Sequence, residues 1–255
     1  TKAWIRGDEE SSVFPIDLPT EDAGIELMAM QLEKVVPFGR SLDEYRHMFA
    51  LSEEDLARSI IGVGDGPASF NAEMHAVGKR VVSVDPLYTF SGAEIAQRFY
   101  AVVDDIIQQV RSTPDDWVWS YHHSPEQLRE NRVCVLNQFI ADYETGKKAG
   151  RYLVDELPQL DIRNDQFDLA LCSHFLFLYS DHFSYEFHRM AILDMLRVAR
   201  EVRVFPLMTL VLKPSSYLEP LRRELQSSGY TAQLQTVRYE LQRGANQMLC
   251  IKSLS

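Results

Sequence analysis

A glycine-rich segment, SIIGVGDGPASF, constrains the fold of this chain more than any other stretch of its sequence. Gly62, Gly64 and Gly66 alternate after an apolar run, and Pro67 marks the start of a predicted helix. Glycine tolerates the backbone angles of a tight turn and leaves the backbone open to a ligand, while the following helix offers free N–H groups. A tight turn that binds nothing shows the same pattern. The segment therefore predicts a strand-to-helix unit and a candidate ligand-binding loop.

An acidic residue, Asp85, ends the next predicted strand, RVVSVD, 19 residues after Gly66. A carboxylate at the end of a strand beside a glycine loop can accept hydrogen bonds from both hydroxyls of a ribose. Asp85 and Pro86 also suit a plain turn. The spacing favours the ligand role, with Pro86 beside the same ligand.

Strand-like and helix-like segments alternate from Ser59 onward, which predicts an α/β fold with a doubly wound, mostly parallel sheet. The predicted strands are IIGV, RVVSV, RYLV, FDLALCS and EVRVF. One helix is predicted from Ser91 to about Val110, packed on the sheet. Apolar and polar residues alternate in the segments near 232–240 and 247–253, which a polar turn separates. This pattern predicts a C-terminal antiparallel hairpin. Its last strand is expected between its partner and the parallel sheet.

Two further segments flank or interrupt this α/β domain, which is assigned to residues 59–255. Residues 1–58 are interpreted as an N-terminal helical extension, in which Ser41 and Glu44 have capping-box spacing. Residues 111–150 are interpreted as a helical insertion, with aromatic residues leading into a helix that starts after Ser124.

Charge and composition narrow the class of partner. The net charge is −11, and the first 59 residues contain 13 acidic against 6 basic side chains. An acidic chain without a basic stripe repels phosphate backbones, so nucleic acid is disfavoured. No apolar run is long enough to cross a membrane, and the three scattered cysteines predict reduced thiols. We expect a soluble, cytoplasmic protein that acts on a small-molecule substrate.

The segments GVGDGPASF, SVDPLY and FDLALCSHFLFLY together resemble motifs of class I S-adenosylmethionine-dependent methyltransferases over residues 59–253. The resemblance implies a Rossmann-like fold, S-adenosylmethionine as cofactor and methyl transfer by direct in-line displacement. It places the methionine part of the cofactor against the glycine loop, Gly62, Gly64 and Gly66, and the ribose on Asp85. Many members carry an acid where this chain has Gly62. The cofactor ammonium would then be bound by backbone carbonyls or by Asp65.

The same resemblance assigns residues after the third and fourth strands. In ELPQLDIRNDQFDLAL, Glu156 takes the position of the acid that binds the adenine amino group, and Leu157 packs beside the ring. The neighbouring Asp155 is an alternative to Glu156 for this role. The competing interpretation is a solvated acidic loop that binds no ligand. At the end of the fourth strand Ser173 would contact the cofactor. His174 is a candidate general base, with a structural histidine as the competing interpretation.

The acceptor pocket is assigned to aromatic residues, Trp119, Tyr121 and Tyr179, which would exclude water or instead form an ordinary core. The fourth strand lacks the Asn/Asp-Pro-Pro-aromatic motif, and Cys172 is not preceded by proline, which disfavours nucleobase methylation. The histidines show no specific metal-ligand spacing, so no metal is predicted.

Two other functions compete with methyl transfer. A nicotinamide-dependent oxidoreductase also has a glycine-rich βαβ unit, but its fingerprint requires a small residue where this chain has Pro67. A non-catalytic protein that binds S-adenosylmethionine and retains the fold stays open because of Gly62. The acceptor and the oligomeric state stay undetermined.

Overall fold

The computed structural model describes residues 37–254, in which seven strands form one sheet in the order β3-β2-β1-β4-β5-β7-β6. Strands β1 to β5 are parallel, and β7 runs antiparallel to both β5 and β6. This arrangement confirms the predicted doubly wound, mostly parallel sheet and the placement of the final strand. The strands are β1 (Ile60–Val63), β2 (Val81–Val84), β3 (Tyr152–Leu153), β4 (Phe167–Ser173), β5 (Ala199–Phe205), β6 (Tyr230–Thr236) and β7 (Gln247–Ser253).

Seven α-helices accompany the sheet within residues 37–254. They are α1 (Leu42–Met48), α2 (Phe70–Ala76), α3 (Gly92–Tyr100), α4 (Val103–Ser112), α5 (Pro125–Lys148), α6 (Tyr185–Val198) and α7 (Leu218–Ser227). The predicted capping box forms at the start of α1, and a second one forms at the start of α3. In each, the N-cap serine exchanges hydrogen bonds with the glutamate three residues later. Ser124 caps α5 through the Gln127 N–H.

The central strands are buried on both faces, which explains their unbroken apolar runs. Every residue of β1 is buried, and side chains of β4 alternate between two apolar clusters. Leu169 and Leu171 face the cluster that includes α1 to α5, whereas Ala170 and Cys172 face the one that includes α6 and α7. The core therefore consists of two layers on opposite faces of one sheet.

Two predicted helices differ from the structure. The first does not begin at Pro67 but at Phe70, because Gly64 and Gly66 adopt positive φ angles of 70° and 56° and extend the loop. The single helix expected over 91–110 is two helices, α3 and α4, with an irregular Val102 between them. Both pack chiefly on α5, so the bend lets successive apolar faces follow that long helix, in the same apolar cluster as residues of the sheet.

The extension and the insertion both contribute to the core. Residues 1–36 of the predicted extension lie outside the described residues. In α1, Tyr45 stacks on Phe70 with ring centroids 4.2 Å apart, and Phe49 packs on Phe205. The insertion supplies α5, and its boundary, like the domain boundary near residue 59, stays a prediction. Strand β6 ends earlier than expected, at Thr236, because the following chain bends inward and buries Tyr239.

Candidate functional site

The glycine loop after β1 lies at the carboxyl edge of the sheet, where open α/β folds bind ligands. A Cβ atom at Gly66 would have no heavy atom within 4 Å, so this part of the loop faces open space. At Gly64 a Cβ would lie 3.3 Å from the Phe175 side chain. The loop is therefore open beside Gly66 and closely covered by an aromatic ring beside Gly64.

Gly62 has a different role from the other two glycines. A Cβ atom there would lie 1.9 Å from Asp65 Oδ2, so only glycine leaves space for that carboxylate. Asp65 is 5% exposed and accepts hydrogen bonds of 2.6 Å from the Tyr45 and Ser83 hydroxyls. Burial raises the pKa of Asp65 to about 6. Asp65 thus connects the glycine loop to α1 and β2.

Asp85 joins the end of β2 to the same loop. Its Oδ2 accepts the Gly66 N–H at 2.8 Å, and its Oδ1 accepts the Leu87 N–H at 2.7 Å. Burial raises the pKa of Asp85 to about 6. Pro86 begins the short 3-10 turn that Asp85 caps. Each carboxylate oxygen has a second lone pair, so Asp85 can still accept ligand hydroxyls.

Glu156 and Leu157 follow β3 at the same carboxyl edge of the sheet. Leu157 is buried in the cluster that includes Val63 and Val84, the last residues of β1 and β2. Asp155 accepts the N–H groups of Glu156 and Asp161, whereas the Glu156 carboxylate has no hydrogen bond or ion pair within residues 37–254. Of the two acids, Glu156 is the one with a free carboxylate.

Ser173 is the last residue of β4, and His174 follows it beside the glycine loop. Ser173 Oγ lies 2.9 Å from His174 Nδ1, and the His174 N–H donates to the Phe205 carbonyl. Burial, together with Arg40 and Arg132 nearby, holds the pKa of His174 well below its usual range. The imidazole is therefore neutral near pH 7, in the protonation state of a general base but with weakened basicity.

The three residues predicted for the acceptor pocket do not form one group. Tyr121 packs on Tyr239, and the Tyr121 hydroxyl donates a hydrogen bond to Asp43 at 2.6 Å. The ring of Tyr239 lies 6.4 Å from the ring of His174. Trp119 is partly buried against the cluster that includes α1 to α5. Tyr179 belongs to a separate small cluster with Leu178 and Leu210.

A buried polar network beside His174 was absent from the sequence prediction. Glu44 is fully buried and accepts hydrogen bonds from Arg132 Nη1 at 2.8 Å and from the Tyr239 hydroxyl at 3.0 Å. His122 Nε2 lies 3.4 Å from the same carboxylate. A signal existed in the sequence, because Arg132 shares the apolar face of α5 with Leu128, four residues before it, and Leu136, four residues after it.

Phe175 was also absent from the sequence prediction. It belongs to an aromatic group whose members Phe183 and Phe187 stack with centroids 4.3 Å apart. Because Phe175 covers Gly64, this group forms an apolar border of the glycine loop.

Other kinds of site are not evident in the part of the chain that the structure describes. No group of three or more histidine, cysteine or acidic side chains is arranged to hold a metal ion among these residues. None of their helices has the length and apolar character needed to span a membrane. Two open surface depressions, one along α5 and one beside α6, contain none of the predicted site residues.

Comparison with known proteins found one curated relative and several solved structures. No protein-family model matches the chain. The uncharacterized protein MJ0045 of Methanocaldococcus jannaschii is 30% identical over 224 residues, which cover 88% of this chain and 98% of that protein.

The solved structures are more distant. The magnesium protoporphyrin IX methyltransferase of Synechocystis PCC 6803, with bound S-adenosylhomocysteine, is 13% identical, with 83% of this chain and 81% of that chain covered and a TM-score of 0.45. The 1,6-didemethyltoxoflavin-N1-methyltransferase of Burkholderia thailandensis is 12% identical, with 84% and 77% covered and a TM-score of 0.43. A proposed RNA methyltransferase of Pyrococcus horikoshii is also 12% identical, with 84% and 85% covered and a TM-score of 0.44.

Proposed function

The chain belongs to the family of the uncharacterized M. jannaschii protein MJ0045, and we propose that it is an S-adenosylmethionine-dependent methyltransferase acting on a small-molecule acceptor. The observation that carries the proposal is the junction between Gly66 and Asp85. It combines an open, positive-φ glycine with a carboxylate on the next strand. This junction lies at the carboxyl edge of a sheet whose reversed final strand the methyltransferase resemblance predicts.

The residues present suit an adenosine ligand with an amino-acid tail. The open face beside Gly66 admits close backbone approach, and Asp85 has lone pairs for the two ribose hydroxyls. The free Glu156 carboxylate can accept the adenine amino hydrogens while Leu157 contributes apolar surface. Asp65 directly precedes Gly66 in the loop, and Ser173 lies at the end of the neighbouring strand β4. When bound, S-adenosylmethionine supplies an electrophilic methyl group on sulfur.

His174 is proposed to receive the proton that the acceptor loses. Its neutral imidazole stands at the end of β4, and Ser173 Oγ contacts Nδ1. Because its pKa is low, it suits an acceptor whose own proton is acidic. Direct displacement requires no enzyme nucleophile. Holding the acceptor in line with the methyl group therefore contributes the larger part of the rate acceleration. We also propose that three aromatic residues lie on the acceptor side of the site: Trp119, Tyr121 and Tyr179.

The first test is calorimetric titration with S-adenosylhomocysteine, with NADH as the comparison ligand. We expect S-adenosylhomocysteine to bind and NADH not to bind. At 100 times its dissociation constant a ligand stabilises the folded state by about 2.7 kcal/mol, which for a chain of this size raises Tm by roughly 5–10 °C. The Asp105→Asn variant should bind S-adenosylhomocysteine as the wild type does, because Asp105 is an exposed acid on α4, away from the site. Absence of S-adenosylhomocysteine binding would contradict the proposal.

A second measurement separates catalysis from binding alone. Protein incubated with methyl-labelled S-adenosylmethionine and a metabolite extract should transfer label to a small molecule. Binding without transfer to metabolite, protein or RNA pools would instead support a non-catalytic cofactor-binding protein. Transfer to RNA alone would keep the reaction and overturn the small-molecule acceptor.

A further inference from the structure

Arg40 is a cation without a counter-ion in the described structure. Its Nη1 donates to the backbone carbonyls of Phe38, at 2.5 Å, and Gly39, at 3.3 Å. Its Nε is buried and has no hydrogen-bond partner. Among residues 37–254, no carboxylate forms an ion pair with Arg40, and no hydrogen bond involves its Nη2. Within the described residues, neither Nε nor Nη2 of the guanidinium therefore has a hydrogen-bond partner.

The surroundings of Arg40 carry a surplus positive charge. Glu44 is the carboxylate of the buried network, and Arg132 already pairs with it at 2.8 Å. Burial lowers the pKa of both His122 and His174, so neither is charged near pH 7, and burial raises the pKa of Tyr239. Burial and the neighbouring Arg132 lower the pKa of Arg40 to about 10, which leaves it cationic. These groups thus carry two guanidinium charges and one carboxylate charge.

The position of Arg40 connects it to the proposed site. Gly39 lies directly on the end of the glycine loop, since a Cβ atom there would be 2.0 Å from the Pro67 carbonyl oxygen. The charge of Arg40 also helps to lower the pKa of the His174 imidazole, which follows β4. Arg40 is therefore attached directly to a residue packed on the glycine loop, and its charge acts on the imidazole at the end of the neighbouring strand.

We propose that Arg40 binds a carboxylate group presented between the glycine loop and His174. Enclosing the Nε of this partly buried cation without a hydrogen-bond partner is costly, and an anionic ligand would supply the charge that residues 37–254 do not provide. Nη2 of Arg40 forms no hydrogen bond within residues 37–254 and is not among the enclosed atoms, so it can donate to a carboxylate oxygen in a charge-assisted pair. Within the proposed function, on which this inference rests, the carboxylate belongs either to the amino-acid end of the cofactor or to an acidic acceptor.

The first arm of the test compares S-adenosylmethionine with decarboxylated S-adenosylmethionine, which lacks only the carboxylate. If the cofactor supplies the anion, the wild-type protein should prefer the intact cofactor by about ten- to hundredfold, the usual effect of one charge-assisted pair. The Arg40→Gln variant should lose that preference, and Arg40→Lys should retain part of it, because lysine keeps the charge without the planar fork.

The second arm titrates protein saturated with S-adenosylhomocysteine with acetate, succinate and benzoate, read as a shift in Tm. If the acceptor supplies the carboxylate, at least one of these should stabilise the wild-type complex and not the Arg40→Gln complex. Equal behaviour of wild type and Arg40→Gln in both arms would overturn the proposal.

Three controls keep the result interpretable. Arg46→Gln removes an exposed cation of α1 that pairs with Glu53, and should change neither arm. Arg40→Gln should unfold at the same Tm as wild type or higher, because the substitution removes a repulsion from Arg132. If Arg40→Gln does not fold, both arms are measured with Arg40→Lys instead. If wild-type protein binds neither cofactor form, the proposed function fails, and the carboxylate titration of the free protein still tests Arg40.

Discussion

Gly62 and Asp65 form a matched pair at the scale of single residues. The resemblance to methyltransferases marks Gly62 as unusual, because many members have an acid at that position. In the structure the Asp65 carboxylate occupies the space above Gly62, three residues away in sequence, and is bound by Tyr45 and Ser83. An acidic group is therefore present beside β1, supplied from the loop and not from the strand.

The first prediction concerns this pair. Gly62→Ala should lower the free energy of unfolding by about 1–3 kcal/mol, because the new methyl group would overlap the Asp65 carboxylate. Urea denaturation of Gly62→Ala, Asp65→Ala and the double variant would measure the coupling. We expect the double variant to be less destabilised than the sum of the two single variants. Simple additivity would show that the two residues do not compete for the same space.

The second prediction follows from the raised pKa of Asp85. Its ionised form is the acceptor for ribose hydroxyls, and burial raises its pKa to about 6. S-adenosylhomocysteine affinity should therefore fall as the pH is lowered from 7.5 to 5, by up to about tenfold per pH unit below the pKa. Asp85→Asn should bind at least about tenfold more weakly at pH 7.5 and lose the part of this pH dependence that belongs to Asp85.

Asp65 requires its own comparison, because burial raises its pKa to about 6 as well. Asp65→Asn should keep the part of the pH dependence that belongs to Asp85. Calorimetry on the three proteins across the pH range is the measurement. A wild-type affinity that does not vary with pH would remove Asp85 from the ribose site.

At the scale of elements, one buried network connects three parts of the chain outside the central strands. Glu44 comes from α1, Arg132 from α5, and Tyr239 from the connection between β6 and β7. The carboxylate that satisfies the first turn of α1 as a capping box is the same one that neutralises Arg132. The extension, the insertion and the hairpin are thus held together next to His174.

The third prediction tests this connection. Glu44→Gln should lower the free energy of unfolding by about 3–5 kcal/mol, because it leaves the Arg132 guanidinium buried without its counter-charge. Glu53→Gln, which removes one partner of the exposed pair with Arg46, should cost less than about 1 kcal/mol. Urea denaturation of both variants at pH 7 is the measurement, and equal small losses would contradict the structural role of the network.

The pH dependence of this effect has a defined sign. Burial alone would raise the pKa of Glu44, but Arg132, aided by His122 and Arg40, holds it well below its usual range. The stabilisation is therefore fully present above the pKa of an unfolded glutamate, near 4.5, and is lost as the pH falls through the folded pKa. The difference in free energy of unfolding between wild type and Glu44→Gln should stay constant from pH 7 to about 5 and disappear in stronger acid.

At the scale of the whole molecule, the reversed hairpin is continuous with the parallel sheet. Strand β7 pairs with β5 on one side and with β6 on the other, and its Leu249 and Ile251 lie in the same apolar cluster as Val202 and Val204 of β5. Strand β6 is at the edge of the sheet and is largely accessible. The hairpin is therefore expected to unfold with the sheet.

The fourth prediction puts this in measurable terms. Amide hydrogen exchange should be slowest in β1, β4, β5 and β7, whose backbone groups are paired on both sides, and faster in the edge strands β3 and β6. Mass spectrometry of deuterium uptake would resolve these segments. Exchange in β7 as fast as in β6 would show that the hairpin opens independently of the parallel sheet.

The sequence by itself determined the order of elements, the parallel sheet with its reversed ending, and the loop residues Gly62 to Gly66 with Asp85. These features depend on local chemistry, namely apolar periodicity, capping spacing and glycine turns, and on connection rules that leave few topologies. The break between α3 and α4 escaped this reasoning, because the apolar spacing continues through Val102 while packing on α5 bends the backbone.

Only the tertiary structure decided which charges are buried together. Glu44 lies 88 residues from Arg132 and 195 residues from Tyr239 along the chain, and its local sequence marks it as nothing more than a capping residue. That Arg40 has no ion pair within residues 37–254 depends in the same way on where the segment leading into α1 packs against the glycine loop. Burial of a charge and the identity of its partner follow from the meeting of distant surfaces, which no local pattern encodes.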